Sequence, residues 1–223
     1  MLRPKFITFD CYGTLTRFRM DELAQEIYGD RVAAERMAAF TFDFKCYRMD
    51  EVMGAWKPYR DVLVSAVERT CRKHGVTFVE AEAARFYEAV PTWTPHQDVP
   101  PGLAKLAGKF PLVGLSNADN AQIMSNVSMY GSPFHLVVTA EDAQSYKPRM
   151  RGFEVMLDKL NARPEDLLHV SSSFRYDLMT AHDLGIRDKA WVNRGHEPRC
   201  GAEYGYHEIA DVGGLAGLVG LSP

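Results

Sequence analysis

An aspartate follows the first apolar segment of the chain, at a point where it could act as a nucleophile. Residues 6–9 (Phe-Ile-Thr-Phe) are too few for a helix and alternate too little for a half-exposed strand. This favours a central parallel strand that is buried on both faces. Asp10 comes next, and ligands of open α/β sheets lie just beyond such strand ends. Because a carboxylate can attack carbon or phosphorus and form an ester that water then hydrolyses, Asp10 is the first candidate catalytic residue.

Two polar residues follow a second apolar run in the same way. Residues 112–115 predict another buried strand, and Ser116 and Asn117 lie between it and a helix predicted at about 121–130. These side chains could simply cap that helix, since Ser and Asn are preferred N-cap residues. They could also bind an anion, because a helix N-terminus is itself an anion site. Both interpretations can hold together.

A lysine and a second aspartate complete the set of charged candidates. Lys147 precedes Pro148 on a loop before a helix predicted at about 151–160, and Asp177 follows the apolar run 167–170 and three serines. A lysine beside a buried aspartate keeps that carboxylate ionised, although most lysines are solvated at the surface. Asp177 could instead be an acidic residue favoured by the dipole at a helix N-terminus.

Taken in their order along the chain, the segments around Asp10, Ser116, Lys147 and Asp177 resemble the four motifs of the haloacid dehalogenase superfamily. The sequence Asp-Cys-Tyr-Gly-Thr at 10–14 is similar to the first motif, in which the first Asp is the covalent nucleophile. Phosphate-hydrolysing members carry a second Asp two places on as general acid. This chain has Tyr12 there, which is not a comparable proton donor at neutral pH. The form Asp-x-Tyr-Gly-Thr resembles the type II, or L-2-haloacid, dehalogenase branch.

The fourth motif argues against a phosphatase. Superfamily phosphatases usually show Gly-Asp-x-x-x-x-Asp there, and aligning Asp177 with the second acid puts Ser172 at the first acidic position. Mg²⁺ prefers several hard oxygen ligands, usually including carboxylates, and one of these carboxylates is missing. The resemblance therefore implies a site without metal or cofactor, in which small hydroxyl groups can hold the carboxylate of a substrate.

The resemblance also implies a role for each matching residue. Asp10 is the nucleophile, and Thr14, Ser116 and Lys147 set its position and charge. Asp177 orients the surroundings of the nucleophile or the attacking water. The Cys11 side chain itself is expected to point away from Asp10, because side chains alternate along a strand. The candidate substrate-binding residues are Cys11, Tyr12, Asn117, Ser172, Ser173 and Phe40.

Three departures from the branch concern the substrate rather than the nucleophile. The branch uses an arginine of its cap domain to hold the departing halide, a tyrosine six positions after the motif lysine, and an asparagine after the motif serines. In this chain these positions hold Phe40, Phe153 and either Phe174 or Ser173. The cations within about two helical turns of the first position are Arg36, Lys45 and Arg48.

The same resemblance implies a Rossmann-like α/β core with an inserted helical cap. Strand-length apolar runs that alternate with helix-length segments favour such βαβ units independently. We predict a core at 1–15 and 99–223 and a cap at 16–98, with a proline-rich linker at 91–102. Predicted strands lie near 5–10, 111–115, 135–139, 167–171 and 189–193, and predicted cap helices lie near 20–28, 31–48, 58–75 and 79–90.

Composition limits the partners and the compartment. The chain has 223 residues, 46% of them hydrophobic, and a net charge of −3, which argues against nucleic acid as the main partner. No stretch approaches the roughly 20 apolar residues of a membrane span. Four cysteines without metal-type spacing, and a first strand too near Met1 for a signal peptide, predict a reduced, cytoplasmic setting. The resemblance implies a homodimer. His169 is expected to be packed in the core rather than catalytic.

The leading hypothesis is a metal-independent hydrolase in which Asp10 displaces a substituent at C2 of a small 2-substituted carboxylate. If halide leaves, the protein is an (S)-2-haloacid dehalogenase. If a ring nitrogen leaves, the same chemistry opens a strained four-membered ring amino acid. A phosphatase that binds Mg²⁺ through Asp10 and Asp177 is a third possibility, and a binding protein of this fold that has lost turnover is a fourth.

Overall fold

A six-stranded parallel sheet forms the centre of the larger unit of the protein. The computed structural model describes residues 1–221, and the strand order is β3-β2-β1-β4-β5-β6. The strands are β1 (Phe6–Phe9), β2 (Leu112–Ser116), β3 (Leu136–Thr139), β4 (Leu167–Ser171), β5 (Asp188–Val192) and β6 (His207–Ile209). The predicted α/β class is confirmed, and the five predicted strands lie within one residue of β1 to β5 at each end. The sequence analysis missed β6, because its three residues include two exposed polar side chains and carry no apolar run.

Strand β1 lies at the centre of the sheet and brings Asp10 to its carboxyl edge. It pairs with β2 through Ile7 and Leu112, and with β4 through Phe9 and Val170. The backbone N–H of Asp10 donates to the Val170 carbonyl at 3.0 Å. Since all the strands are parallel, their carboxyl ends meet at one edge of the sheet, where ligands bind in such folds.

Helices cover the apolar side chains of both sheet faces. One hydrophobic cluster includes Phe9, Leu168 and Leu103, and another includes Val113, Leu167 and Phe153. The helices of this unit are α5 (Val99–Leu106), α6 (Asn120–Ser128), α7 (Ala140–Ala143), α8 (Arg151–Leu160), α9 (Met179–Asp183) and α10 (Leu215–Leu218), and a π-helical turn at Phe174–Leu178 precedes α9. Helix α5 starts inside the predicted linker, because its prolines lie in the first turn, where no helical N–H bond is lost.

The second compact unit, Phe18–Trp93, is entirely helical and is called the helical unit below. Its interior contains aromatic pairs, with ring centroids 5.1 Å apart for Tyr28 and Phe40 and 4.9 Å apart for Phe44 and Phe86. Its helices are α1 (Met20–Tyr28), α2 (Ala34–Met53), α3 (Tyr59–His74) and α4 (Glu80–Ala89). Helix α2 continues five residues beyond its predicted end at 48, up to Gly54.

The sheet unit comprises Met1–Arg17 and the chain from Thr94 onward. The predicted boundaries, at 15 and 99, lie two and five residues from these. The two segments of the sheet unit that lead into and out of the helical unit pair with each other. Thr16 forms a β-bridge with Pro95, and Arg17 N–H donates to the Thr94 carbonyl at 3.0 Å. Within residues 1–221, no helix has the length and apolar character needed to cross a bilayer.

Candidate active site

The turn after β1 holds the Asp10 carboxylate in a fixed position. Gly13 has φ +93°, a backbone conformation that residues other than glycine rarely adopt. This turn brings Thr14 back toward Asp10, and the Thr14 hydroxyl donates to Asp10 Oδ2 at 2.6 Å. Thr14 Oγ1 in turn accepts the backbone N–H of Ser172 at 2.8 Å and lies 3.0 Å from Ser172 Oγ. The first and fourth motifs therefore meet at Asp10.

Lys147 bridges the two buried aspartates. Its ammonium donates to Asp10 Oδ1 at 2.9 Å, to Asp177 Oδ1 at 2.8 Å and to the Leu115 carbonyl at 2.8 Å. These bonds use all three donors of the ammonium group. Lys147 is 2% exposed, so the alternative of a solvated surface lysine is wrong. Asp177 is fully buried and paired with Lys147, and it also lies in the first turn of the π-helical segment, so the helix-dipole alternative can hold beside the ion pair.

Burial and charge set different pKa values for the two carboxyls. Burial raises the pKa of Asp10 above its usual range, with Asp177 adding to the rise, and Lys147 and Thr14 offset only part of it. For Asp177 burial also acts upward, but Lys147 and His169 outweigh it and lower the pKa. Burial acts to lower the pKa of Lys147, yet the two carboxylates raise it above its usual range. Asp10 therefore has the higher pKa of the two aspartates.

Ser116 and Asn117 have different tasks at the end of β2. The Asn117 side chain donates to the Lys147 carbonyl at 2.9 Å and accepts the Lys147 N–H at 2.7 Å, so it fixes the backbone of the lysine. The Ser116 hydroxyl is buried and has no hydrogen-bond partner among residues 1–221. The predicted capping role belongs instead to Asp119, whose side chain accepts from Gln122 N–H at the start of α6. Buried polar groups are normally paired, so a free Ser116 hydroxyl suits a ligand.

The neighbouring serines of the fourth motif are not equivalent. Ser172 contacts Thr14, as described above, whereas Ser173 Oγ donates to Glu197 Oε1 at 2.9 Å and accepts the Tyr176 N–H at 3.2 Å. Glu197 also accepts the Phe174 N–H at 2.9 Å. Ser173 thus caps the π-helical turn, and its predicted contact with substrate stays a prediction.

Three other candidate substrate-binding residues are occupied by local contacts. Cys11 is fully buried in the hydrophobic cluster of β1, and burial raises the pKa of its thiol to about 12. The Tyr12 hydroxyl donates to Asn126 Oδ1 at 3.0 Å. Phe40, in the helical unit, packs against Tyr28 and His74, with ring centroids 5.1 Å and 5.2 Å away. Their roles in substrate binding stay predictions.

The three cations near Phe40 in sequence also differ in their surroundings within the helical unit. The Arg48 guanidinium lies over the rings of Phe18 and Phe44, at 5.1 Å and 4.8 Å from their centroids. Arg36 donates to the backbone carbonyl of His74 at 3.1 Å. Arg48 is buried, whereas Arg36 is exposed and Lys45 is half-buried.

Sequence reasoning missed two residues that support this site. Arg194 donates to the Thr14 carbonyl through Nε at 3.2 Å and Nη2 at 2.9 Å, and it pairs with both oxygens of Asp98 at 2.8 and 2.9 Å. His169 Nε2 lies 3.1 Å from Asp177 Oδ1. The sequence signal for Arg194 was a charged residue close to the end of a buried strand, β5. A polar side chain inside an apolar run was the signal for the second. Within residues 1–221, no three His, Cys, Asp or Glu side chains converge as possible metal ligands.

Known proteins resemble this chain in sequence. A family model described as haloacid dehalogenase-like hydrolase matches residues 4–185. An (S)-2-haloacid dehalogenase of Pseudomonas putida is 25% identical over 199 residues, which cover 84% of this chain and 84% of that protein.

Solved structures share the fold along nearly the whole chain. The L-2-haloacid dehalogenase of Xanthobacter autotrophicus with chloropropionic acid covalently bound has a TM-score of 0.80 at 21% identity, over 97% of this chain and 98% of that chain. The putative HAD-hydrolase YfnB from Bacillus subtilis bound to magnesium has a TM-score of 0.81 at 16% identity, over 98% and 100%. Since the family model spans most of the sequence, the chain belongs to the haloacid dehalogenase-like hydrolases.

Proposed function

We propose that this protein is a metal-independent hydrolase in which Asp10 displaces a substituent at C2 of a small 2-substituted carboxylate. The observation that carries the proposal is the Asp10 carboxylate held between the Lys147 ammonium and the Thr14 hydroxyl. The position of a phosphatase general acid holds Tyr12, whose hydroxyl donates to Asn126. Tyr12 therefore does not supply a general acid for the leaving oxygen of a phosphate ester.

In the first step one oxygen of Asp10 attacks C2 from the side opposite the leaving group. The new C–O bond forms as the bond between C2 and the leaving group breaks, so the leaving group departs with the electron pair and the carbon inverts. The product is an ester between Asp10 and the substrate. The positive charge of Lys147 keeps Asp10 ionised before attack, and the free hydroxyl of Ser116 can donate to the substrate carboxylate.

In the second step water attacks the carbonyl carbon of the Asp10 ester. Asp177 Oδ2 is buried and has no partner among residues 1–221, so it can accept a proton from this water. The bond between the Asp10 carbonyl carbon and the ester oxygen breaks, and the ester oxygen leaves with the product as its new hydroxyl group. Asp10 then carries one oxygen from water, and one proton returns to solvent.

The first experiment is halide release from (S)-2-chloropropionate with EDTA present, for the wild-type protein and for Asp10→Asn. We expect chloride and (R)-lactate in equal amounts from the wild type, unaffected by EDTA, and none from the variant. The reason is that Lys147 supplies the positive charge between the two carboxylates. Turnover that EDTA abolishes and Mg²⁺ restores would contradict the proposal.

A non-halide substrate is the second candidate, and one observation favours it. The position of the halide-binding arginine holds Phe40, an apolar side chain that packs within the helical unit. The same assay with azetidine-2-carboxylate distinguishes the two substrates, because ring opening consumes the substrate without releasing halide. If azetidine-2-carboxylate is consumed and (S)-2-chloropropionate is not, the role proposed for Asp10 stands and the leaving group is a ring nitrogen rather than halide.

Arg194 is expected to support catalysis through Thr14. In Arg194→Met the Thr14 carbonyl loses both donors, and the partly buried Asp98 loses its ion pair. We expect kcat to fall roughly tenfold and the free energy of unfolding to fall by about 2 kcal/mol, as measured by steady-state kinetics and urea unfolding. The control is Arg199→Met, since Arg199 pairs with Glu208 at the surface. Equal losses in both variants would contradict this role.

A further inference from the structure

His169 is a fully buried histidine in the middle of β4, and it contacts Asp177, which is paired with Lys147. Its Nε2 lies 3.1 Å from Asp177 Oδ1, and its Nδ1 lies 2.8 Å from Thr8 Oγ1 on the neighbouring strand β1. The ring also packs against Phe153 of α8, with centroids 5.0 Å apart. The chemistry proposed above for Asp10 assigns no task to this side chain.

The partners of the ring determine which nitrogen carries hydrogen. An ionised carboxylate can only accept hydrogen bonds, so the nitrogen that faces Asp177 must be the donor. The Thr8 hydroxyl lies closer to Nδ1, at 2.8 Å, than to the Leu168 carbonyl, at 3.5 Å. The shorter contact favours donation from Thr8 to Nδ1, which assigns the hydrogen of the neutral ring to Nε2.

This donor leaves the two oxygens of Asp177 in different situations. Oδ1 accepts from Lys147 at 2.8 Å and from His169 at 3.1 Å. Oδ2 is equally buried but has no partner within the described part of the chain, residues 1–221. Two donors on one oxygen prevent rotation of the carboxylate about its terminal bond. The second oxygen is thereby kept available for a water molecule.

We propose that His169, oriented by Thr8, is a positioning residue that holds Asp177 for hydrolysis of the Asp10 ester. The inference rests on the proposed function and extends it, because it assigns His169 to the second step only. The donors to the Asp10 carboxylate are Lys147 and Thr14, so the first step depends on the histidine only indirectly, through Asp177 and Lys147. Loss of His169 should therefore slow ester hydrolysis much more than ester formation.

The charged groups around the His169 ring determine how its replacement shifts the pH dependence of ester hydrolysis. Asp177, Lys147 and Asp10 form the cluster, and Lys189 of β5 is in register with His169 but donates to backbone carbonyls, those of Ile186 and Arg187. Hydrogen bonding from His169 helps lower the pKa of Asp177 against the opposing effect of burial. Without this donor the pKa of Asp177 rises. The acid limb of the pH–rate profile for ester hydrolysis then moves to higher pH, since only the ionised Asp177 carboxylate accepts a proton.

The test compares His169→Met, which removes the donor, with His169→Gln, whose amide can still donate to Asp177. Ester formation and hydrolysis are followed in single turnovers of (S)-2-chloropropionate by the mass of the protein. For His169→Met we expect hydrolysis slowed roughly 10- to 100-fold, formation within about threefold of wild type, and accumulated ester. His169→Gln should recover most of the hydrolysis rate. A merely structural role would slow both steps alike in His169→Met, and that result would overturn the proposal.

A second measurement needs no substrate. In the ¹⁵N-histidine-labelled wild-type protein, we expect His169 to carry hydrogen on Nε2 and none on Nδ1, and Thr8→Val to disturb this signal. Hydrogen found on Nδ1 alone would overturn the inference whatever the enzyme acts on. A wild-type protein that never forms an ester would instead contradict the proposed function while the tautomer is as expected, so the two failures are distinguishable.

Discussion

Replacing Asp10 by Asn is expected to lower turnover by at least about 10⁴-fold, since an amide is not a nucleophile at saturated carbon. The fold should persist. The cluster of Asp10, Asp177 and Lys147 loses one of two buried negative charges, and Asn can still accept from Lys147. We therefore expect little change in the free energy of unfolding, measured by urea denaturation alongside kcat. Asp166→Asn is the matched control, because Asp166 is also a mostly buried aspartate but binds Lys5 and the Arg163 backbone.

Isotope labelling tests the covalent step directly. In a single turnover in H₂¹⁸O with protein in excess, the hydroxyl oxygen of the product should come from Asp10 and carry no label. The label should appear in the Asp10 carboxylate and be detected in the peptide that contains residue 10. Label found in the product after one turnover would mean that water attacks C2 directly, and it would contradict the ester mechanism.

Lys147→Met is expected to have the second-largest effect, on both rate and stability. Without the ammonium, the two buried carboxylates face each other uncompensated, and the pKa of Asp10, already raised by burial, rises further. Because attack needs the ionised carboxylate, the acid limb of the pH–rate profile moves to higher pH, and kcat at pH 7 falls by roughly 10³-fold. Loss of one partner of a buried ion pair costs about 3–5 kcal/mol in the free energy of unfolding.

Lys189→Met is the matched control for this variant. Lys189 is equally buried, but its ammonium donates to the carbonyls of Ile186 and Arg187 and, among residues 1–221, to no carboxylate. Its loss should lower stability without moving the pH–rate profile. In the double variant Asp10→Asn/Lys147→Met, stability should partly recover relative to Lys147→Met, since one of the two uncompensated charges is gone. An unchanged acid limb in Lys147→Met would contradict the role of this lysine.

Several features of the fold could be predicted because their signals are local. Each strand from β1 to β5 contains a short apolar run, and Asp10 and Ser116 are recognisable because each lies at the end of such a run. A helix that begins with prolines and a strand of three residues carry weaker local signals, so the predicted linker extends over the first four residues of α5 and no strand is predicted at β6. Both depend on packing against the sheet unit rather than on their own composition.

The α/β class, the family resemblance and Asp10 as the candidate nucleophile could all be predicted from the sequence, because parallel strands bring the polar residues at their carboxyl ends to one edge. Only the tertiary structure decided which groups meet there. It placed the Lys147 ammonium between Asp10 and Asp177, brought the buried His169 to 3.1 Å from Asp177, and joined Arg194 to Thr14. These contacts join residues 8 to 180 positions apart. No local pattern specifies such pairs, since burial leaves each charged group dependent on whichever partner the fold brings within hydrogen-bond distance.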